Sequence, residues 1–398
     1  MRYQGLDTFR SYVDGPLGVS FQPAGRTRTD WGGTIHTVNA QVSFRPARVQ
    51  SIDAGWEFES ENYRNLALPV SPTPISSVDV TQRSNALFVQ DQLRLLDNRL
   101  LFSAAFRAQF FSLRRPVFDP VASSPYAGLT IAAPPDAYTG DGSIAYYVRG
   151  SGTKLRGHVG NGYRAPSLYE RFGTFFGSFG YSTYGDPRLR PDRSVAFDAG
   201  IDQQLAGGRV RASATWFYTR LQEVIIFDFS GAIDSRRDPF GRFGGYLNSG
   251  GGLARGLELS ASAAARRDLD VALSYTHTNA DQRRPLVPGI LSSFVIPDHQ
   301  ASILVTQRFG RRLFVNFDLA LSSSYLAPIF DPITFASRAY EFGGIAKADV
   351  VASYRIPLSD RRAVRIYGKV ENLFDRAYYE SGFRTPRATG LAGLQIEF

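Results

Sequence analysis

The sequence predicts an all-β fold, an antiparallel β-barrel that spans a membrane. The chain ends on an alternating strand, Leu394-Gln395-Ile396-Glu397-Phe398, whose last residue is aromatic. Behind it, short turns and long loops take turns as connectors for almost the whole length. A membrane barrel sorts its connectors in this way, with tight turns on one side and long loops on the other. A soluble β-sandwich has no reason to. Apolar runs such as Leu95-Leu96 and Leu100-Leu101-Phe102 fall far short of the roughly 18–20 residues of a membrane helix, and a barrel strand shows lipid only every second residue.

Taken in order, the elements repeat one pattern. A strand falls within 1–14, and two more, 34–44 and 49–62, flank Arg45-Pro46-Ala47-Arg48. Strand 84–96 turns at Asp97-Asn98 into strand 99–112, and loop 113–141 carries five prolines. Strand 142–150 turns near Ser151-Gly152-Thr153 into 154–162, and a loop follows over 163–193. Ser194–Leu205 turns at Ala206-Gly207-Gly208, a hairpin composition. The next strand, Arg209–Tyr218, sets Val210, Ala212, Ala214, Trp216 and Tyr218 on one face. After a Gly-rich loop to about Gly252, strand 253–265 turns at Arg266-Arg267-Asp268 and returns with Leu269, Val271, Leu273 and Tyr275 on one face. Loop 282–297 leads to strand 298–308, a turn at Phe309-Gly310-Arg311, and a strand with Leu313, Val315, Phe317, Leu319 and Leu321 opposite Asn316 and Asp318. Loop 326–345, strand 346–356, a turn at Pro357–Arg361, strand 362–373 and loop 374–387 precede the closing strand. That makes about 16 strands, an even number as single-chain bacterial barrels have, with the last strand running toward the short-turn side. A propeller or solenoid is disfavoured, since no blade motif recurs.

Composition agrees. Tyr (20) and Phe (30) suit aromatic girdles, and Gly (38) suits turns and bends. A mean hydropathy of -0.19 is compatible with a barrel. Cys is absent, which suits an exported chain and excludes thiolate metal sites and thiol nucleophiles. The net charge of +9 is spread over the chain without a basic helix or an RNA-binding motif, so nucleic acid is not an expected partner. Its remaining readings are solvated loops and a polar lumen, or attraction to lipopolysaccharide phosphates or an anionic ligand. The segment Met1–Phe9 lacks the apolar core of a signal peptide, so the expectation is the carboxy-terminal portion of a longer exported protein.

Val370-Glu371-Asn372-Leu373-Phe374-Asp375-Arg376-Ala377-Tyr378-Tyr379, then Pro386-Arg387, Gly390-Leu391 and Phe398, are similar to the carboxy-terminal end of TonB-dependent outer-membrane receptors, although a Gly usual in that family between Pro and Arg is missing. Gly162–Glu170 looks like the strand end that leads into a long outer loop. Asp186-Pro187-Arg188-Leu189-Arg190-Pro191-Asp192-Arg193-Ser194 resembles an Asn-Pro-x-Leu-x-Pro-Glu-x-Ser run, and Gly256-Leu257-Glu258-Leu259 a later strand start. The resemblance implies part of a 22-stranded barrel in the bacterial outer membrane, in contact with lipid and lipopolysaccharide. It implies import of a scarce ligand such as a ferric siderophore or cobalamin. Energy would come through TonB, which touches an amino-terminal plug domain not seen in residues 1–398. A passive sixteen-stranded porin-like channel and a nonfunctional barrel remnant are the alternatives.

No catalytic constellation is present: there is no Gly-x-Ser-x-Gly elbow, and no enzyme activity, cofactor or metal is expected. His36, His158, His277 and His299 lie far apart and read as structural or interfacial. Trp31, Trp56 and Trp216 read as interfacial, and Asn372-Leu373-Phe374-Asp375 as a loop cap built on side-chain to backbone hydrogen bonds. The ligand candidates lie in loops. Phe172, Phe175, Phe176, Phe179, Tyr181 and Tyr184 crowd one loop, and Arg236, Arg237 and Arg242 follow in the next. Exposed apolar groups on a water-facing loop mark contact with something, and rings with guanidinium groups suit a bulky anionic chelate such as a ferric catecholate. The competing reading is that these aromatics pack loop against loop.

Overall fold

Side chains alternate across a strand, so each wall strand divides its residues between two environments. The computed structural model describes the chain except residues 15–26, 69–75, 120–124, 127, 178–179, 229–232, 243, 284–294, 332, 334–335, 360–361, 381–382 and 398. The first half contains β1 (Arg2–Asp14), β2 (Thr27–Ala47), β3 (Gln50–Leu68), β4 (Ser76–Leu95), β5 (Leu100–Leu113), β6 (Val117–Asp119), β7 (Ala137–Val148) and β8 (Thr153–Arg164). Helix α1 (Leu168–Phe172) follows, with β9 (Thr174–Gly177) and β10 (Gly180–Thr183). Next come β11 (Asp192–Leu205), β12 (Val210–Asp228), β13 (Gly245–Ser249), β14 (Gly252–Ala264) and β15 (Leu269–Gln282). Then come β16 (His299–Phe309), β17 (Leu313–Ser322), β18 (Tyr325–Asp331), β19 (Ala336–Phe342) and β20 (Ala346–Pro357). The last are β21 (Ala363–Glu371), β22 (Tyr379–Glu380), β23 (Phe383–Arg384) and β24 (Thr389–Glu397).

Eighteen strands form one antiparallel sheet. Two of them, β6 and β13, have only three and five residues and flank longer neighbours; the others are the sixteen wall strands the sequence predicts. Wall strands pair in chain order from β1 with β2 through β21 with β24. Among the described residues no pairing joins β1 to β24, so the sheet has two free edges.

The two faces differ in chemistry. Trp216, Leu257 and His277 are lateral neighbours, as are Leu259 and Tyr275, and Leu257, Leu259 and Leu273 are exposed on this apolar face. Aromatics gather on it, Phe197 with Trp216 at 5.3 Å and Phe110 with Tyr138 at 6.3 Å between ring centres. The opposite face is polar: Lys154 reaches Asp202 at 2.7 Å, and Arg156 reaches Asp202 at 3.3 Å and Asp198 at 3.5 Å. Apolar-out and polar-in is the division a lipid-spanning barrel requires.

Short connectors also follow their chemistry. Asp97 and Asn98 hold φ of 56° and 63°, and Gly207 and Gly208 hold 65° and 86°, the left-handed region these residue types tolerate best. Several strands run further toward the long loops than expected. β2 begins at Thr27 instead of 34, β3 extends to Leu68 instead of 62, and β12 continues past Tyr218 to Asp228. The backbone ladder carries them: β3 and β4 stay paired from Gln50↔Leu93 to Ala67↔Ser76. Beyond the lipid, alternation no longer reports the strand, because the inner face is covered by loops. Of the three tryptophans, Trp56 and Trp216 stand on the outer face, but Trp31 packs against the buried cluster beneath the loops. The Phe398 side of the closing-strand reading lies outside the described residues.

Candidate functional site

The long-loop end of the inner face is built around α1. Ser167 caps it: Ser167 Oγ accepts from Glu170 N at 3.2 Å while Ser167 N donates to Glu170 Oε2 at 2.7 Å. This reciprocal capping box satisfies two end groups of a helix too short to hold itself. Arg164 then forks onto Glu170 at 2.9 Å and onto Asp192 at 2.7 Å, tying the helix to the ends of β8 and β11.

Buried beneath these groups is an apolar cluster of Tyr63, Val78, Val80, Tyr126, Leu168, Phe172 and Phe240. Tyr63, Val78 and Val80 come from the inner faces of β3 and β4, so loop residues fold inward over the mouth of the wall. The Tyr126 ring meets Phe240 at 5.2 Å and Phe172 at 6.1 Å, both edge-on, and its hydroxyl donates to the Gly185 carbonyl at 3.1 Å. Asn65 on β3 donates through Nδ2 to the Thr174 carbonyl at 3.4 Å and accepts from the Thr174 hydroxyl, which anchors β9 to the wall.

A charged clasp joins the loops. Arg242, 3% exposed in its side chain, contacts Asp238 at 2.9 Å and Asp186 at 3.2 Å and donates to the Tyr246 carbonyl at 2.8 Å. Arg188 chelates Asp186, and the guanidinium carbons of Arg188 and Arg242 lie 4.9 Å and 5.5 Å from the centre of the Phe240 ring. Burial alone would raise the Asp238 carboxyl, yet the hydrogen bonds and charge of Arg242 hold it below the usual aspartate range. Arg171, 2% exposed, donates to the carbonyls of Pro187 at 2.8 Å and Ala132 at 2.6 Å. Burial brings its guanidinium down to about 10, against the opposing pull of Asp186.

The expected ligand residues fall into three groups. Phe172 is fully buried in the apolar cluster, and Tyr184 packs edge-on against Phe227 at 5.6 Å. The backbones of Phe175, Phe176 and Tyr181 form the β9–β10 hairpin, with Tyr181 opposite Phe176; Phe179 lies outside the described residues. Arg236 and Arg237 are exposed, Arg237 lying 3.6 Å from Asp234, whereas Arg242 is part of the buried clasp. Sequence reasoning missed Tyr126, Arg171, Asp186, Asp238 and Phe240. Two spacings could have signalled this architecture: Ser167 to Glu170 for a capping box, and Asp238 to Arg242 for a one-turn ion pair.

Asn372 caps its loop as expected. It is 2% exposed, its Nδ2 donates to the Arg376 carbonyl at 2.8 Å, and its Oδ1 accepts from Arg376 N at 3.1 Å. The histidines contact strand neighbours: His36 meets the Tyr3 hydroxyl at 2.9 Å, His158 meets Asp198 at 3.2 Å, and His277 stacks on His299 at 4.8 Å. Among the described residues no group of three or more His, Asp or Glu is placed to hold a metal.

Residues 1–373 match the family model described as TonB dependent receptor-like, beta-barrel. The ferrichrome outer membrane transporter/phage receptor of Escherichia coli (strain K12) is 27% identical over 162 residues, which are 40% of this chain and 21% of that protein. In fold, the siderophore receptor PirA from Acinetobacter baumannii aligns with a TM-score of 0.70 at 16% identity, and the copper transporter OprC with 0.75 at 14%. Both alignments cover this whole chain but only 59% and 62% of those proteins. The sheet, its apolar outer face and the family match converge on one statement: the chain belongs to the TonB-dependent receptors of the outer membrane and forms part of their β-barrel.

Proposed function

We propose that the chain supplies the wall and ligand-receiving loops of an outer-membrane importer for a bulky chelate. The leading ligand class is a ferric siderophore, and TonB is the energy source of the complete protein. The observation that carries this is the loop assembly. Three long connectors are packed into one folded body over the inner mouth of the wall, which a passive pore does not need. The names of the Escherichia coli and Acinetobacter relatives support the siderophore class.

Within that assembly Phe172, Tyr184 and Arg242 shape the support, and Phe175, Phe176, Phe179, Tyr181, Arg236 and Arg237 are the proposed contacts. Rings offer stacking faces and exposed guanidinium groups offer forked donors to an anionic chelate.

Uptake tests the proposal. Iron-limited cells carrying the gene in its genomic context should take up a ferric hydroxamate or catecholate, and lose that uptake when TonB is deleted. Entry that persists without TonB and rises linearly with solute concentration would replace this reading with the passive channel, for which the sixteen wall strands are the argument.

A further inference from the structure

We infer that the short-turn rim of the wall is a binding ring for anionic phospholipid headgroups of the periplasm-facing leaflet. The inference rests on reading the chain as an outer-membrane barrel with its short turns toward the periplasm.

All seven short connectors, from β2–β3 to β20–β21, contain arginine. Their described residues hold nine arginines and two aspartates, a surplus of seven in a chain whose whole net charge is +9. Arg48, Arg149, Arg209, Arg267, Arg312 and Arg362 are exposed, and none has a carboxylate partner among the described residues. At the loop end, by comparison, Arg188, Arg242, Arg338 and Arg387 are each paired with an aspartate.

Exposed apolar side chains stand beside these arginines. Val49 follows Arg48, Val148 precedes Arg149, and Leu205, Phe309 and Leu358 flank the turns of Arg209, Arg312 and Arg362, with Phe309 54% and Leu358 63% exposed. Such pairs place an apolar group at acyl-chain depth and a planar forked donor at phosphate depth, the arrangement of an interfacial anchor. A soluble polyanion would satisfy the guanidinium groups but leave these apolar groups in water. Lipid satisfies both.

The complete protein in nonionic detergent is titrated with phosphatidylglycerol or phosphatidylcholine, and bound lipid is counted by native mass spectrometry. Phosphatidylglycerol should be retained about fivefold more tightly. The Arg266→Gln/Arg267→Gln/Arg311→Gln/Arg312→Gln variant should lose roughly half of it, while Arg338→Gln/Arg384→Gln at the loop end should lose none. Equal retention of the two lipids, or unchanged retention by the turn variant, overturns the inference. Displacement of the lipid by millimolar inorganic phosphate alone would also overturn it, by assigning the ring to free anions. Where the fourfold variant does not fold, Arg311→Gln/Arg312→Gln gives the same reading with a smaller loss. Heat-modifiable gel migration on the same samples separates the two claims: a folded barrel without lipid preference removes only the ring, and absent heat modifiability removes the barrel reading beneath it.

Discussion

Arg236, Arg237 and Arg242 sit within one loop and carry the same charge, yet only Arg242 is enclosed. Its removal should act as the loss of one partner of a buried ion pair does. Arg242→Ala leaves Asp186 and Asp238 facing each other without their common cation, at a cost of about 3–5 kcal/mol to the loop assembly. Hydrogen exchange should show lost protection around 184–189 and 238–249, with the lower halves of β11 and β12 unchanged; retained protection would mean the clasp is incidental. The same carboxylate sets a pH limit. Because the folded-state value of Asp238 lies below the ordinary 3.8, its contribution is complete above that value and disappears as pH falls through the lower folded value. Loop protection should therefore be flat across neutral and mildly acidic solution and fall only below about pH 4. A fall near pH 6 would point to histidine instead. Sequence alone could not rank these arginines, since what separates them is the position of Asp186, over fifty residues away along the chain.

The β9–β10 hairpin and the wall strands show how differently elements are legible. Wall strands were readable because lipid on one side and water on the other force a strict alternation. The turns were readable because few residues accept positive φ. Strand extensions toward the loops and helix α1 were not, since there the environment is set by packing among distant loops. The hairpin is a short ladder tied to the wall through Thr174 and Asn65. Replacing Phe175, Phe176 and Tyr181 by Ala in the full-length receptor should weaken chelate binding at least tenfold, since each stacking contact contributes about 0.5–1 kcal/mol or more. Unchanged affinity with an intact barrel would remove the hairpin as the contact. On the wall, Gly256 of β14 lies where a Cβ would come within 1.9 Å of the His277 carbonyl and 2.7 Å of the Phe217 ring. Gly256→Ala must push β15 and that ring aside, costing roughly 1–3 kcal/mol, and a lowered urea midpoint for barrel unfolding would show it. An unshifted midpoint would mean that the ladder there gives freely.

At the scale of the whole molecule the sheet is long but not closed among its described residues. β1 and β24 each pair on one side only, and their apolar side chains stand bare: Phe9 is 69% exposed, Leu391 60% and Leu394 71%. A free edge leaves every second backbone amide without a partner, and in hydrocarbon such groups are costly. A membrane barrel resolves this only by closure, in which each edge finds a partner. Amide exchange distinguishes the edge from the interior. In the chain by itself, about half of the β1 amides should exchange rapidly, while those of β11 and β12, laddered on both sides, stay protected. Once the β1 edge is paired, its amides should become as slow as those of β12. Equal protection of β1 and β12 in the isolated chain would show that the edges find each other or a second copy, and that the sixteen wall strands form a closed barrel without help.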